Sequence, residues 1–146
     1  MIDEINTKYF KVFLYDDVDK YQTITVERIG PFWKLNGFST YVNKTNDSLK
    51  LIGWCHLQIK DKGVTVVPVQ SFDRNVAYIK MGSFSDELIK DIPYGEIVVF
   101  TWDKIVRWND LNAVAYSNED KPLYTLGYEI INSYIDINGL KWISVN

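Results

Sequence analysis

Short runs rich in Val, Ile, Thr, Tyr and Phe, alternating apolar and polar residues, recur along most of this chain and restrict it to folds built mainly from β-strands. They are Tyr9 to Tyr15, Gln22 to Ile29, Leu49 to Ile59, Val64 to Val69, Val76 to Met81, Glu96 to Trp102 and Tyr124 to Ile131. Long helical segments that could cross over between parallel strands are missing, so antiparallel pairing is expected. Pro68 has no amide hydrogen to give to a ladder, which places its run at a sheet edge or a bulge.

Asn138-Gly139 tolerates positive φ at both central positions of a type I′ turn. A hairpin is expected there, with Ile137 facing Leu140, Ile135 facing Trp142, and Asp136 paired with Lys141 on the opposite side. A short helix is expected from Ser85 to Ile92: Ser or Asp caps its start, Leu88, Ile89 and Ile92 form a stripe, and Pro93 ends it. Gly30 to Lys44 reads two ways. Pro31 and the spacing of Phe32, Leu35, Ser39 and Val42 suit a helix, whereas Gly37 and the run Phe38 to Val42 suit extended structure. The expected fold class is α+β: a predominantly antiparallel β-sheet with one or two short helices, in a single compact domain over residues 1–146.

An apolar content of 47% with evenly spread charge is that of a folded chain, since a disordered one lacks the apolar surface to offset its ordering entropy. The net charge is −3, and only Arg28, Arg74 and Arg107 among the 16 basic residues are arginines. No basic stripe exists to displace counterions from duplex phosphates, so duplex DNA is not an expected partner. No run approaches the ~18 continuous apolar residues of a membrane span, and Asp3 and Glu4 stand where a signal peptide carries positive charge. With a single cysteine, the reading is a cytoplasmic protein without membrane contact. The glycosylation-like triplets at Asn43 and Asn46 read as a loop.

That cysteine, Cys55, adjoins the only histidine, His56. Neighbours on a strand point to opposite faces, so the pair cannot work as a thiolate with its own base. Along the run from Leu49 to Ile59, one face carries Leu49, Leu51, Gly53, Cys55, Leu57 and Ile59. The other carries Lys50, Ile52, Trp54, His56 and Gln58. Cys55 reads as a small core hydrophobe, its thiol pKa raised by apolar surroundings. Trp54, His56 and Gln58 can stack on a flat ligand and hydrogen-bond its edge, although such a face is also a common satisfied part of a fold.

Aromatic residues make up 15% of the chain; some must lie in the core, and an excess beyond core needs suggests a recognition surface. Trp33 follows Gly30-Pro31 at a turn, Trp102 shares a face with Trp108 if that segment stays extended, and Arg107 stands beside Trp108. An aromatic next to a guanidinium can hold a nucleobase or anchor a protein; as core aromatics with a solvated arginine these residues do neither. Asp16, Asp17 and Asp19, and Glu119-Asp120, read as turn acids because they lack the Gly and terminal Glu of a helix-loop-helix calcium site. No catalytic residue, metal site or cofactor is assigned.

The stretch Ile92-Pro93-Tyr94-Gly95-Glu96-Ile97-Val98-Val99-Phe100 resembles the strand entry of GyrI-like effector-binding domains, α+β sensors of small molecules. The resemblance covers nine residues, and the two longer helices of those domains have no counterpart in the pattern, so no residue role is carried over. Three functional readings follow from the residues. The first is a non-catalytic protein that occupies a macromolecular partner, in the manner of small inhibitors, immunity proteins and virus-encoded antagonists. The second is a receptor or sponge for a small planar or anionic ligand, a nucleotide or metabolite, with Trp54 and His56 in its pocket and Arg74 or Arg107 for the anion. The third is a metal-independent enzyme with His56 as lone general base.

Overall fold

The computed structural model describes residues 1–131 and 134–145, with the side chains of 35–37, 129–131 and 134–138 outside that description. In chain order the strands are β1 (Asp3–Asn6), β2 (Phe10–Asp16), β3 (Lys20–Ile29), β4 (Phe32–Asn43), β5 (Leu49–Leu51), β6 (Cys55–Ile59) and β7 (Lys62–Ser71). They continue as β8 (Tyr78–Met81), β9 (Leu88–Asp91), β10 (Ile97–Trp102), β11 (Val114–Tyr116), β12 (Pro122–Ile131) and β13 (Tyr134–Ser144). Among the described residues they form sheets ordered β1-β2-β3-β4, β10-β7-β5 with β6 also on β7, and β13-β12-β11-β8-β9. Contacts divide the chain into two compact units. One is Met1–Lys44 with Ile52–Pro68 and Val99–Val106; the other is Thr45–Leu51 with Val69–Val98 and Arg107–Asn146.

The expectation of α+β is corrected to all-β: the one helical element among the described residues is the 3-10 turn Trp108–Asp110. Leu88–Asp91, expected within a helix, pairs with β8 from Leu88↔Met81 to Asp91↔Tyr78. An isolated eight-residue helix is unstable in water, whereas the sheet edge offers a ready ladder. The connecting turn is fixed by Gly82, at φ +117, where an added Cβ would lie 2.7 Å from the Asp86 carbonyl oxygen. The Ser83 and Ser85 hydroxyls donate to Asp86 Oδ2 at 3.2 and 3.1 Å, holding that carboxylate in the turn.

The ambiguous stretch from Gly30 is strand. Ile29 pairs with Phe32 across Gly30-Pro31, and Gly30 at φ +56 before proline suits a II′ turn. Gly37 falls in a bulge: Thr25 faces Phe38 while Val26 faces Leu35, one step on β3 against three on β4.

The expected run Leu49 to Ile59 is broken. Leu51 faces Val69 and Cys55 faces Val66, so four steps match three, and the Ile52 amide donates to the Pro68 carbonyl at 2.9 Å inside the gap. Pro68 therefore marks an irregularity, as its missing N–H requires, but on a strand flanked on both sides rather than at an edge. Ile52 moves to the core at 1% exposure, which corrects its expected place beside Trp54 and His56.

The Asn138-Gly139 hairpin is also corrected. Both residues lie within β13, where Ile135 faces Ile130 and Trp142 faces Leu126. Between Tyr128↔Leu140 and Ile130↔Ile135, two steps on β12 meet five on β13. The dipeptide thus serves an irregular stretch rather than a chain reversal; the expected side-chain pairings of Ile135, Asp136 and Ile137 lie outside the described residues.

In the first unit Phe10, Val12 and Leu14 of β2 are fully buried, as are Cys55, Val64, Val66 and Phe100. In the second, Ile79, Met81, Leu111 and Ala115 are fully buried, with Leu126, Leu140 and Trp142 nearly so. Each such large side chain contributes about 1.5–3 kcal/mol by leaving water.

Candidate functional site

Within each unit, the one ring contact seen between expected site residues, among the described residues, is that of Trp54 with His56. Trp54 and His56 touch as a tilted pair, ring centroids 5.1 Å apart at 50°. That is contact distance, so no flat ligand fits between them. The Thr40 hydroxyl donates to the Trp54 carbonyl. His56 Nδ1 is buried without a hydrogen-bond partner among the described residues, and the Gln58 amide donates to the Lys60 carbonyl at 3.2 Å. Trp102 is a core residue, 7% exposed and stacked on Phe100. The chain leaves β10 at Trp102, so Trp102 and Trp108 do not share the expected strand face. Cys55 is fully buried with Sγ 3.1 Å from Thr25 Oγ1, and burial pushes its thiol up to about 11.

Trp33 belongs to a larger surface. On the β1–β4 sheet the inward positions of β3 are Thr23, Thr25 and Glu27, at most 8% exposed, opposite Leu14, Val12 and Phe10. The outward positions are Gln22, Ile24, Val26 and Arg28. Beside them stand Phe13 and Tyr15 on β2, and Trp33 and Tyr41 on β4, 43% and 47% exposed. An antiparallel sheet with one wet face normally turns its apolar side inward; β3 does the reverse. Two of its inward polar groups have partners in the same unit, Thr25 meeting Cys55 and Glu27 pairing with Lys62 at 3.6 Å, while Thr23 Oγ1 is buried without a hydrogen-bond partner among the described residues. Cations rim the outward face. Lys11 Nζ lies 4.8 Å from the Trp33 ring centre and Lys20 Nζ 5.5 Å from that of Tyr41.

In the second unit Arg74 stacks on Tyr94, its guanidinium carbon 4.1 Å from the ring centre. Tyr94 meets Phe72 edge to face at 5.7 Å, and Lys50 Nζ lies 5.4 Å from the Phe72 ring centre. Arg107 is exposed at the start of the 3-10 turn, where its side chain makes no capping hydrogen bond. Trp108 packs edge to face on Tyr128 at 5.0 Å and lines a hollow of about 330 Å³ with Asn109, Asn112 and Thr125.

Sequence reading missed Ile24, Val26 and Tyr41 because Thr-Ile-Thr-Val alternation does not say which set faces the core. It missed Lys50 and Tyr94 because they reach Phe72 and Arg74 only through segments distant in sequence, and with them the platform that Phe72 forms.

The chain matches no protein-family model, no curated protein and no solved structure. The resemblance of Ile92 to Phe100 to GyrI-like domains finds no support there, and among the described residues there is no counterpart of the two long helices those domains carry.

Proposed function

We propose that this protein acts without chemistry, by occupying a protein partner through the outward face of its β1–β4 sheet. The observation that carries this reading is the inversion on β3, with Thr23, Thr25 and Glu27 inside and Ile24 and Val26 outside. Ile24 and Val26 are half-buried there, beside the exposed rings of Trp33 and Tyr41. Turning aliphatic and aromatic side chains outward while polar ones are buried works against stability, and a patch of that kind is the usual mark of an interaction surface. Lys20 and Arg28 share this face with Lys11, whose charge is paired with Glu4 at 2.8 Å. A partner with an apolar centre and carboxylates at its rim fits it, and that complementarity speeds association at low salt.

Zero-length cross-linking of the tagged chain in native lysate, repeated with Trp33→Glu, Ile24→Glu and, as a control on the second unit, Ile89→Glu, tests this. A cross-linked protein whose affinity falls at least about tenfold in the first two variants, and persists in the control, is the expected result. Capture indifferent to Trp33 and Ile24, or no wild-type-specific product, overturns the reading.

A further inference from the structure

We infer that the second unit carries a nucleotide site, with a phosphate held between Arg74 and Lys121 and the base lying against the neighbouring Tyr94–Phe72 pair. This goes beyond partner binding and uses a different surface. Two braced turns build it. In the first, the Asp73 amide donates to Ser71 Oγ at 3.2 Å and the Asn75 amide to Asp73 Oδ1 at 2.9 Å, so Phe72 and Arg74 project from one rigid turn. In the second, the Glu119 and Lys121 amides both donate to Ser117 Oγ at 3.2 Å, and the Asp120 amide donates to the Ser117 carbonyl at 3.0 Å. Between them lies a hollow of about 360 Å³ whose lining includes Arg74, Asn75, Asn118, Glu119 and Lys121.

Arg74 is thus shared between the hollow and the ring platform. Its guanidinium lies on the Tyr94 face, which fixes its plane and leaves its N–H groups for an anion. Tyr94 is held in turn: the Gly95 amide donates to the Ser71 carbonyl at 2.7 Å, and the Gln70 side chain donates to the Gly95 carbonyl at 2.9 Å. Tyr94 and Phe72 remain 50% and 41% exposed. Asp73, the nearest acid in sequence, has both oxygens engaged, one by the Asn75 amide and one by the Tyr124 hydroxyl at 2.7 Å. Among the described residues no carboxylate lies within ion-pairing distance of Lys50, Arg74 or Lys121. The Asn75 and Asn118 carboxamides add donors and acceptors suited to the edge of a heterocycle.

The same chemistry is offered by a free nucleotide or by one unit of a single-stranded nucleic acid, so the test carries both. Titration calorimetry of the full chain uses AMP, adenosine, phenyl phosphate, inorganic phosphate and a uridine decamer. Saturable binding of AMP or the decamer is expected, weaker by about tenfold in Arg74→Ala and in Tyr94→Ala. Glu119→Gln is expected to tighten it, because that carboxylate repels the phosphate across the hollow. A decamer far tighter than AMP assigns a strand as the source, and comparable affinities assign free nucleotide. No saturable binding up to about 10 mM, near the weakest measurable range, overturns the proposal. So does binding indifferent to Arg74→Ala in a chain with unchanged circular dichroism, or phenyl phosphate binding as tightly as AMP.

Discussion

The outward face of the β1–β4 sheet and the Arg74 cluster both present exposed aromatic rings beside cations, yet they are built on opposite principles. The first is a regular ladder: alternation brings Phe13, Ile24 and Ser39 into one row, and Tyr15, Gln22 and Tyr41 into the next. The second is assembled from turns, bringing Arg74 to Tyr94 across twenty residues of chain. A ladder yields a broad surface with few free polar groups, which suits a large partner. Turns yield a hollow with convergent donors, which suits a small charged ligand.

The largest test of this contrast compares the two sides of one sheet. Leu14→Ala empties a fully buried site opposite Thr23 and is expected to cost about 2–5 kcal/mol. Ile24→Ala, on the outward face, is expected to cost less than about 1 kcal/mol. Urea denaturation of the two variants decides it. Equal losses would mean that Ile24 is part of the core, and the partner surface would disappear with that finding.

A smaller loss, about 1–3 kcal/mol, is expected for Gly53→Ala. The new Cβ would lie 2.7 Å from Thr23 Oγ1 and 3.1 Å from Leu14 Cδ2, inside the break between β5 and β6. Thermal melting reads the change. A neutral substitution would show that the inward side of β3 can yield by several tenths of an ångström, and the division into rigid scaffold and free outward face would weaken.

Cys55 separates the same two sides chemically. Burial raises its thiol from the ordinary 9.0 to about 11, with Thr25 opposing the shift through its hydrogen bond. The native state therefore keeps a proton that the unfolded chain releases first. The resulting stabilisation is complete below pH 9 and disappears as pH rises to about 11. Native protein at pH 8 is expected to resist iodoacetamide until denaturant is added; rapid alkylation of the folded chain would mean that the inward layer opens.

The strand content was legible because period-two alternation reports local geometry, and the inward place of Cys55 followed from the same rule. Leu88 to Asp91 escaped because a short apolar stripe ahead of Pro93 satisfies helix and edge strand alike, and only the partner strand β8 decides. Asn138-Gly139 misled for a related reason: the dipeptide marks permissive backbone, which a wide register shift uses as readily as a turn. Trp33 and Arg74 were visible as candidates. Their neighbours were not, since Lys11 reaches Trp33 across the sheet and Tyr94 reaches Arg74 through a loop.

The smallest expected effect sharpens the second half of the comparison. Tyr124 donates to Asp73 Oδ2 at 2.7 Å, and its hydroxyl is pushed up to about 12, first by burial and then by that carboxylate. Tyr124→Phe removes the bond but leaves Asp73 its Asn75 amide, so a loss of about 0.5–1.5 kcal/mol is expected. The native phenol holds its proton above the ordinary 10.0, so its contribution is intact below pH 10 and fades as pH rises toward 12. The variant is expected to show a shallower decline across that window. Freed from Tyr124, Asp73 Oδ2 becomes available to the neighbouring Arg74 and competes with a phosphate for it. Nucleotide affinity should therefore weaken in Tyr124→Phe while the outward sheet face binds as before. Equal losses at both surfaces would mean that the variant perturbs the fold as a whole and that the two surfaces are not independent.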